Sequence, residues 1–292
     1  MPKLIIIQTL RLFLPLAYAQ ESPPQINAVI HWDYNLHGED WPGICHTGWQ
    51  QSPIKLDVKT AVDHRLPRIN LVNYNTKLRG PLILVNNGHS ANMEIHETLK
   101  NEKPYISGGW LKGKYLADGV HFHWGSSLFR GAEHWINNDR KDLEMHIVHR
   151  NSKYSDLSEA VKHSDGVAVL AVLFHSEEFP VHTIKGIDKI VAQLKAIRKF
   201  EAEANIAGSF SLSQLLENLD TGKFFTYKGS LTTPDCQEAV IWTVFAQTLA
   251  ISKAALKKFW KLQNFEGQPN RPNFRYAQNV NGRTVYYRKP KD

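Results

Sequence analysis

The chain has 292 residues, of which 42% are hydrophobic and 22% charged, proportions that exclude a disordered, collagen-like or multi-span membrane protein. The formal net charge of +7 is modest and no run of five like charges occurs, which argues against nucleic acid as the main partner. Fourteen histidines are the most unusual feature of the composition.

The first 19 residues are typical of a secretory signal peptide. Lys3 provides a positive start, apolar runs follow, and Ala17-Tyr18-Ala19 fits the small-x-small cleavage pattern. A buried N-terminal helix is the alternative, since Arg11 interrupts the apolar run. The run is too short to span a bilayer, and nothing near Asp292 resembles a membrane tail or a lipid-anchor signal. We therefore expect a mature chain of residues 20–292 that is secreted, extracellular and without a transmembrane anchor.

The remaining chain predicts a single sheet-centred domain, because no repeat, linker or low-complexity tract follows residue 25. Short β-rich runs bounded by Gly, Asn, Asp or Ser predict strands at 82–85, 120–124, 143–148, 167–174 and 239–245. Helical signals are fewer. Apolar residues repeat at helical spacing between 187 and 197, Ser211 with Gln214 matches a capping box, and Ser252 predicts the cap of a helix reaching Trp260.

Three histidines on two of these predicted strands form a candidate metal site. His121 and His123 are two residues apart and therefore point to the same face of their strand. On the second strand Glu144 and His146 share a face, so pairing of the strands would gather three imidazoles. Three neutral imidazoles suit zinc with a fourth position left to water, and Glu144 can accept the other N–H of a ligand. The alternative is a set of polar surface residues.

Other catalytic motifs are absent from the sequence. His96-Glu97 begins like a zinc-protease helix, but Lys100 stands where the second ligand would be needed. There is no G-x-S-x-G motif, no phosphate-binding loop and no dinucleotide fingerprint.

Seven sequence blocks resemble the α-carbonic anhydrase family, and they occur in family order from His31 to Arg275. The blocks are Gln51-Ser52-Pro53-Ile54, Asn86-Asn87-Gly88-His89, His121-Phe122-His123-Trp124-Gly125, Gly131-Ala132-Glu133-His134, Glu144-Met145-His146, Gly166-Val167-Ala168-Val169-Leu170 and Gly229-Ser230-Leu231-Thr232-Thr233-Pro234. The resemblance implies a mainly β fold with surface helices (α+β), in which a central twisted, mostly antiparallel sheet bears a conical zinc-binding cavity. It also implies a carbonic anhydrase, in which a zinc-bound hydroxide attacks CO₂ to give bicarbonate and a proton.

The resemblance also implies roles for individual residues. One Zn²⁺ per chain would be held by His121, His123 and His146, with Glu144 behind a ligand. Thr232, donating to Glu133, would orient the nucleophile, and His89 would shuttle the proton. The side chains that would line the proton path are Tyr34, Asn87, Asn92 and Thr233. Those that would line the CO₂ pocket, beside Thr232 and Thr233, are Val148, Val169, Leu231, Val240 and Trp242.

Cys45 and Cys236 match the disulfide of secreted and membrane-bound family members, and their even number agrees with an oxidising compartment. Two free buried thiols are the alternative. The implied partners are small molecules, CO₂ and bicarbonate, and the sequence leaves the oligomeric state open.

Two positions depart from the family pattern. Gly119 stands where the family usually has a Gln that accepts the N–H of the first ligand, which predicts weaker zinc binding. Trp135 replaces a residue that is commonly smaller, and the sequence offers no mechanism for it.

A catalytically impaired binding or matrix protein on the same scaffold is the alternative function, although this chain keeps all three ligand histidines. An unrelated zinc esterase is a third hypothesis.

Overall fold

Strands make up most of the regular structure in the computed structural model, which describes residues 32–180 and 182–289. The predicted signal peptide lies outside the described residues. In chain order the strands are β1 Lys55–Leu56, β2 Val62–Asp63, β3 Ile69–Val72, β4 Ile83–Asn86, β5 Ala91–Glu94, β6 Tyr105–Gly108, β7 Tyr115–Trp124, β8 Trp135–Ile136, β9 Asp139–Arg140, β10 Leu143–Asn151, β11 Val167–Glu177, β12 Glu203–Asn205, β13 Phe224–Gly229, β14 Val240–Phe245, β15 Leu249–Ser252 and β16 Tyr286–Arg288.

The helices are short and lie between the strands. They are α1 Ile44–Thr47, α2 Leu157–Ala160, α3 Lys185–Gln193 and α4 Lys253–Phe259, with a 3₁₀ turn at Leu212–Leu215. Among the described residues, none of the helices combines the length and apolar character needed to cross a membrane.

Thirteen of the described strands form one mixed sheet. Its main path runs β12-β4-β5-β7-β10-β11-β14-β13-β16-β2, with β15 beside β11, and β6 joining β3 to β7. Most neighbours are antiparallel, whereas β11 pairs with β14 and β15 in parallel, as β16 does with β2. The expected mainly β, mostly antiparallel single-domain fold is confirmed. A separate three-stranded sheet has the order β1-β8-β9.

Alternation along the long central strands separates two hydrophobic clusters. In β10, Met145 and Ile147 point to the cluster that α3 and α4 cover, and in β7 Phe122 does the same. In β11, Val169 and Ala171 point the other way, into the second cluster with Trp242 of β14. Side chains alternate between the two faces of a strand. The residues that alternate with Phe122, Met145 and Ile147 along β7 and β10 therefore face the side of the sheet opposite the helices. His121, His123 and His146 belong to this second side.

All five predicted strand runs lie within, or within one residue of, observed strands. The helix α3 contains the first part of the predicted helical repeat, from Ile187 to Val191, but it ends at Gln193, before Leu194 and Ile197. The Ser252 hydroxyl caps α4 by accepting the Ala255 N–H at 3.1 Å, as predicted. The capping box at Ser211 is wrong: a 3₁₀ turn begins there without a side-chain cap. Ser211 Oγ instead lies 3.0 Å from Ser213 Oγ, a short-range alternative that competes with capping.

Candidate metal centre and active site

The pairing of β7 with β10 brings the three predicted ligands together. His146 lies opposite His121, and Glu144 lies opposite His123. One ring nitrogen from each of the three histidines lies within 4.8 Å of the others. The sequence prediction required these two strands to be neighbours, and the structure has them so.

The second nitrogen of two of the rings is fixed by a hydrogen bond. His123 donates from Nδ1 to the Asn273 carbonyl oxygen at 2.9 Å, and His146 donates from Nε2 to Glu144 Oε1 at 2.7 Å. Each bond selects the tautomer and leaves the opposite nitrogen with a free lone pair. His123 Nε2 is buried with no hydrogen-bond partner in the described part of the chain. His146 Nδ1 lies 3.3 Å from His121 Nε2. Nitrogen donors arranged in this way fit a zinc ion.

Burial keeps the three imidazoles in the neutral form that binds metals. It lowers the pKa of His123 to about 4, and it lowers the pKa values of His121 and His146 as well. Burial opposes ionisation of Glu144, yet the neighbouring His134 and His146 hold its pKa well below the usual range. The fully buried Glu144 is therefore an anion at neutral pH, which strengthens His146 as a ligand.

Glu144 is itself held by a further histidine. His134 donates from its backbone N–H to Glu144 Oε2 at 2.8 Å and from Nδ1 to Oε1 at 2.7 Å. The other ring nitrogen of His134 lies 2.7 Å from the Tyr227 hydroxyl. A chain of buried polar groups thus fixes the orientation of His146 from behind.

Glu133 and Thr232 are both buried beside the histidines. Glu133 Oε1 accepts the Arg275 backbone N–H at 2.8 Å and lies 3.5 Å from His123 Nδ1, while Oε2 has no hydrogen-bond partner in residues 32–180 and 182–289. Burial raises the pKa of Glu133 to about 7, whereas His146, the Arg275 N–H and the Thr232 hydroxyl favour its ionised form. Oε2 is thus an acceptor with spare capacity next to Thr232.

A cavity of about 910 Å³ opens over His121. Its lining includes the predicted residues Asn92, Val148, Leu231 and Thr233, together with Gly119. Behind Val148, the register of the sheet places Val169 and then Trp242 in one row. Trp242 is buried with its ring 4.9 Å from that of His146, and its Nε1 donates to the Ser230 carbonyl at 3.2 Å. Val240 is also buried in this cluster, so the predicted apolar residues form a continuous wall.

The predicted shuttle residue lies outside the lining of this cavity. The His89 ring stacks on Trp32, with centroids 3.7 Å apart, and lines a separate cavity of about 110 Å³ with Tyr34. Tyr34 also contacts His123 edge-on, at 6.4 Å between centroids. The Asn87 side chain is exposed, and its Oδ1 accepts the backbone N–H groups of His89 and Ser90. Asn87 therefore shapes the turn that carries His89.

The comparisons with known proteins agree with this geometry. The model of the eukaryotic-type carbonic anhydrase family matches residues 31–289. This chain belongs to the carbonic anhydrase family. A Caenorhabditis elegans protein with a carbonic anhydrase name is 35% identical over 263 residues, which are 89% of this chain and 82% of that protein. Mouse carbonic anhydrase 15 is 32% identical over 82% of this chain and 75% of its own. Rabbit carbonic anhydrase 4 is 30% identical over 90% and 86%.

A disulfide joins the N-terminal part of the described chain to the loop after β13, as expected from the sequence. Cys45 of α1 and Cys236 are bonded and buried, and they lie 191 positions apart in the chain. The Cys236 N–H donates to the Thr233 carbonyl at 2.8 Å. The bond therefore anchors the loop that carries Thr232 and Thr233.

Gly119 leaves His121, one of the three candidate ligands, without a fixed outer hydrogen-bond partner among the described residues. It faces the cavity two residues before His121, and the nearest atom that a Cβ here would meet is the Met93 carbonyl oxygen at 3.5 Å. His121 Nε2 lies 3.3 Å from the His146 Nδ1 lone pair, and no described protein atom accepts from His121 Nδ1. The predicted loss of an acceptor is thus visible in the geometry.

Sequence reasoning missed the role of the segment Asn273-Phe274-Arg275. The Asn273 side chain accepts the Trp124 N–H at 2.6 Å and donates to the Phe122 carbonyl at 3.1 Å, while its own carbonyl holds His123. Arg275 is buried and donates to Gln51, Ser52 and Cys45 as well as to Glu133. No sequence signal marked these contacts, since they join positions between 142 and 230 residues apart.

Proposed function

We propose that this protein is a secreted, zinc-dependent carbonic anhydrase that interconverts CO₂ and bicarbonate with release of a proton. The observation that carries the proposal is a set of three neutral imidazoles, two buried and one half-buried, with one nitrogen of each within 4.8 Å of the others, beside an open cavity. Membership of the carbonic anhydrase family supports CO₂ hydration as the activity.

His121, His123 and His146 would hold one zinc ion and leave a position open toward the cavity. The unpartnered His123 Nε2 supports this assignment, because a buried ring nitrogen without a hydrogen bond is costly unless a ligand uses it. Bound zinc supplies a hydroxide nucleophile at neutral pH by lowering the pKa of water to about 7, an effect for which carbonic anhydrase is the reference case.

Thr232 and Glu133 would select and orient the nucleophile. A hydroxyl that donates its proton to a carboxylate has only lone pairs left for its other neighbour. Because Glu133 Oε2 is a free acceptor near Thr232, the threonine can give its proton there and accept one from the nucleophile. Ligands that cannot donate a hydrogen bond would be disfavoured at the same place.

The wall of Val148, Val169, Leu231, Val240 and Trp242 would receive CO₂. The substrate carries no charge and gains from leaving water, so an apolar surface beside the nucleophile is sufficient to bind it weakly. Weak binding suits a reaction in which attack and product release must both be fast.

His89 would carry the proton to solvent. Histidine takes up and releases protons near neutrality, and the His89 ring is held in place by stacking on Trp32. Asn92 and Thr233 line the cavity over His121 and offer polar groups to water. Secretion is supported by the signal-like first 19 residues and by a buried disulfide, which requires an oxidising compartment to form.

Stopped-flow CO₂ hydration combined with metal analysis of the purified protein tests the proposal. We expect one zinc per chain and fast hydration, and we expect His146→Ala to lose both. His163→Ala, which removes a surface imidazole paired with Glu159, is the matched control and should retain both. Wild-type protein that binds zinc without hydrating CO₂ would contradict the enzyme assignment and favour the binding-protein alternative.

A further inference from the structure

Trp135, which departs from the family pattern, lies at the centre of a row of three side chains. In the three-stranded sheet it is opposite Lys55 on β1 and opposite Arg140 on β9. The Lys55 Nζ lies 4.6 Å from the centroid of the Trp135 ring, and the Arg140 Cζ lies 5.7 Å from it. Both distances are within the range of a cation–π interaction. The indole therefore holds two cations in register.

Arg140 also contacts the ring of Phe274. Its Cζ is only 3.6 Å from the centroid of the Phe274 ring, which is 2% exposed. The same guanidinium donates from Nε to the Ala132 carbonyl oxygen, the residue before Glu133, at 2.6 Å. A planar guanidinium can stack on a ring and donate in its plane at the same time, which an ammonium group cannot do.

Both segments that Arg140 contacts are connected to Glu133, one through the chain and the other through a hydrogen bond. Ala132 precedes Glu133 in the chain, and Phe274 precedes Arg275, whose N–H donates to Glu133 Oε1. On the other side of Phe274, the Asn273 carbonyl accepts from His123. The Arg140 guanidinium is thus bonded to the backbone on one side of Glu133 and packed against the segment that binds its carboxylate.

Electrostatics favour this position for a cation. Burial lowers the pKa of Arg140 to about 10, and the nearby Glu133 and Glu144 act against that shift. Arg140 therefore remains charged at neutral pH, near two buried carboxylates that have no lysine or arginine side chain as a direct partner in the described residues.

We propose that Arg140, held in place by Trp135, is a positioning residue that fixes the segment Asn273-Phe274-Arg275 against Glu133 and His123. The inference rests on the proposed zinc enzyme, but it concerns a group that touches neither metal nor substrate. It also gives Trp135 a function: a smaller residue would leave the outer face of the guanidinium to solvent and allow the side chain to adopt other rotamers.

The test measures zinc dissociation with a chromophoric chelator, the visible spectrum of the Co²⁺-substituted protein, and amide exchange at Arg275 in the metal-free protein. Arg140→Ala should speed zinc loss about tenfold or more, shift the cobalt spectrum and speed exchange of the Arg275 N–H. Arg140→Lys should recover little of the wild-type behaviour in these three readouts, because lysine restores the positive charge but not the planar guanidinium. Trp135→Ala should move all three readouts in the same direction by less, and Trp135→Phe should restore them.

Lys114→Ala is the matched control, since it removes a surface cation 5.1 Å from the Tyr105 ring, away from the metal centre. It should leave all three readouts unchanged. If Arg140→Ala only lowers the melting temperature and leaves them unchanged, the inference is wrong. If that variant does not fold, unchanged readouts in Trp135→Ala overturn it equally. A wild-type protein that fails to hold zinc would refute the proposed function. Amide exchange of the Arg275 N–H, measured in the metal-free variants, would still decide whether Arg140 is a positioning residue.

Discussion

Gly119→Gln should slow the loss of zinc from this protein. The side chain at 119 shares a strand face with His121, and the nearest atom to an added Cβ is 3.5 Å away, so a glutamine enters without displacing backbone. Its amide oxygen can then accept the His121 Nδ1–H, for which no described protein atom is an acceptor. That bond would fix the tautomer and the ring orientation in the way that Asn273 and Glu144 fix the other two candidate ligands.

The expected magnitude follows from what such outer hydrogen bonds contribute to metal sites. Their loss typically costs 10–100-fold in metal affinity or activity, so their gain here should slow dissociation by about the same factor, or about 1.4–2.7 kcal/mol. The assay follows zinc transfer to excess chelator in wild-type protein and in the variant at one pH and temperature.

Gly119→Met separates the hydrogen bond from the effect of filling space. Replacing a glycine within a strand should itself stabilise the metal-free fold by roughly 0.5–1 kcal/mol in both variants. Only the glutamine variant should retain zinc longer. Equal dissociation rates in the glutamine variant and the wild type would refute the reasoning, and so would an equal slowing by methionine.

Three further predictions address the fold and the proposed proton path. Replacing Cys45 and Cys236 together by Ala should lower the free energy of unfolding in urea by up to about 5 kcal/mol, because the bond closes a loop of 191 positions. Burial lowers the pKa of His149 to about 3, so the unfolded state binds one more proton from about pH 6.5 down to that value. Metal-free wild type should therefore lose about 1.4 kcal/mol more stability per pH unit between pH 6 and 4 than His149→Gln. His89→Ala should lower kcat for CO₂ hydration about 10²-fold or more at low buffer, leave kcat/KM unchanged and recover with imidazole buffer.

Each of these predictions has a result that would contradict it. Unfolding midpoints that coincide with and without the disulfide would show that it contributes no stability. Parallel pH profiles for the wild type and His149→Gln would mean that the buried histidine is not neutral in the native state. A fall in kcat/KM for His89→Ala would place that residue in the attack on CO₂ and not in proton release.

The sequence predicted which strand residues form the site, but it did not predict the order of the strands in the sheet or the long-range contacts around the site. Strand alternation placed His121 and His123 on one face without any knowledge of the fold, and family resemblance supplied the role of Thr232. The sequence could not predict that β11 lies between β10 and β14, because pairing order depends on contacts far apart in the chain. For the same reason the contacts of Asn273 and Arg275 were missed.

Local patterns failed where competing short-range bonds were available. Ser211 with Gln214 has the spacing of a capping box, yet the turn that follows is 3₁₀ and the serine interacts with Ser213. Trp135 had no interpretation in the sequence, because its meaning depends on Lys55, 80 positions away, and on Arg140 across a hairpin.

Zinc K-edge X-ray absorption of the purified protein tests the central claim most directly, since it counts and identifies the atoms around the metal. We predict three imidazole nitrogens at about 2.0–2.1 Å with one further oxygen from solvent. A sulfur neighbour, a fourth imidazole, or a protein carboxylate in place of the solvent oxygen would contradict an open site built from His121, His123 and His146.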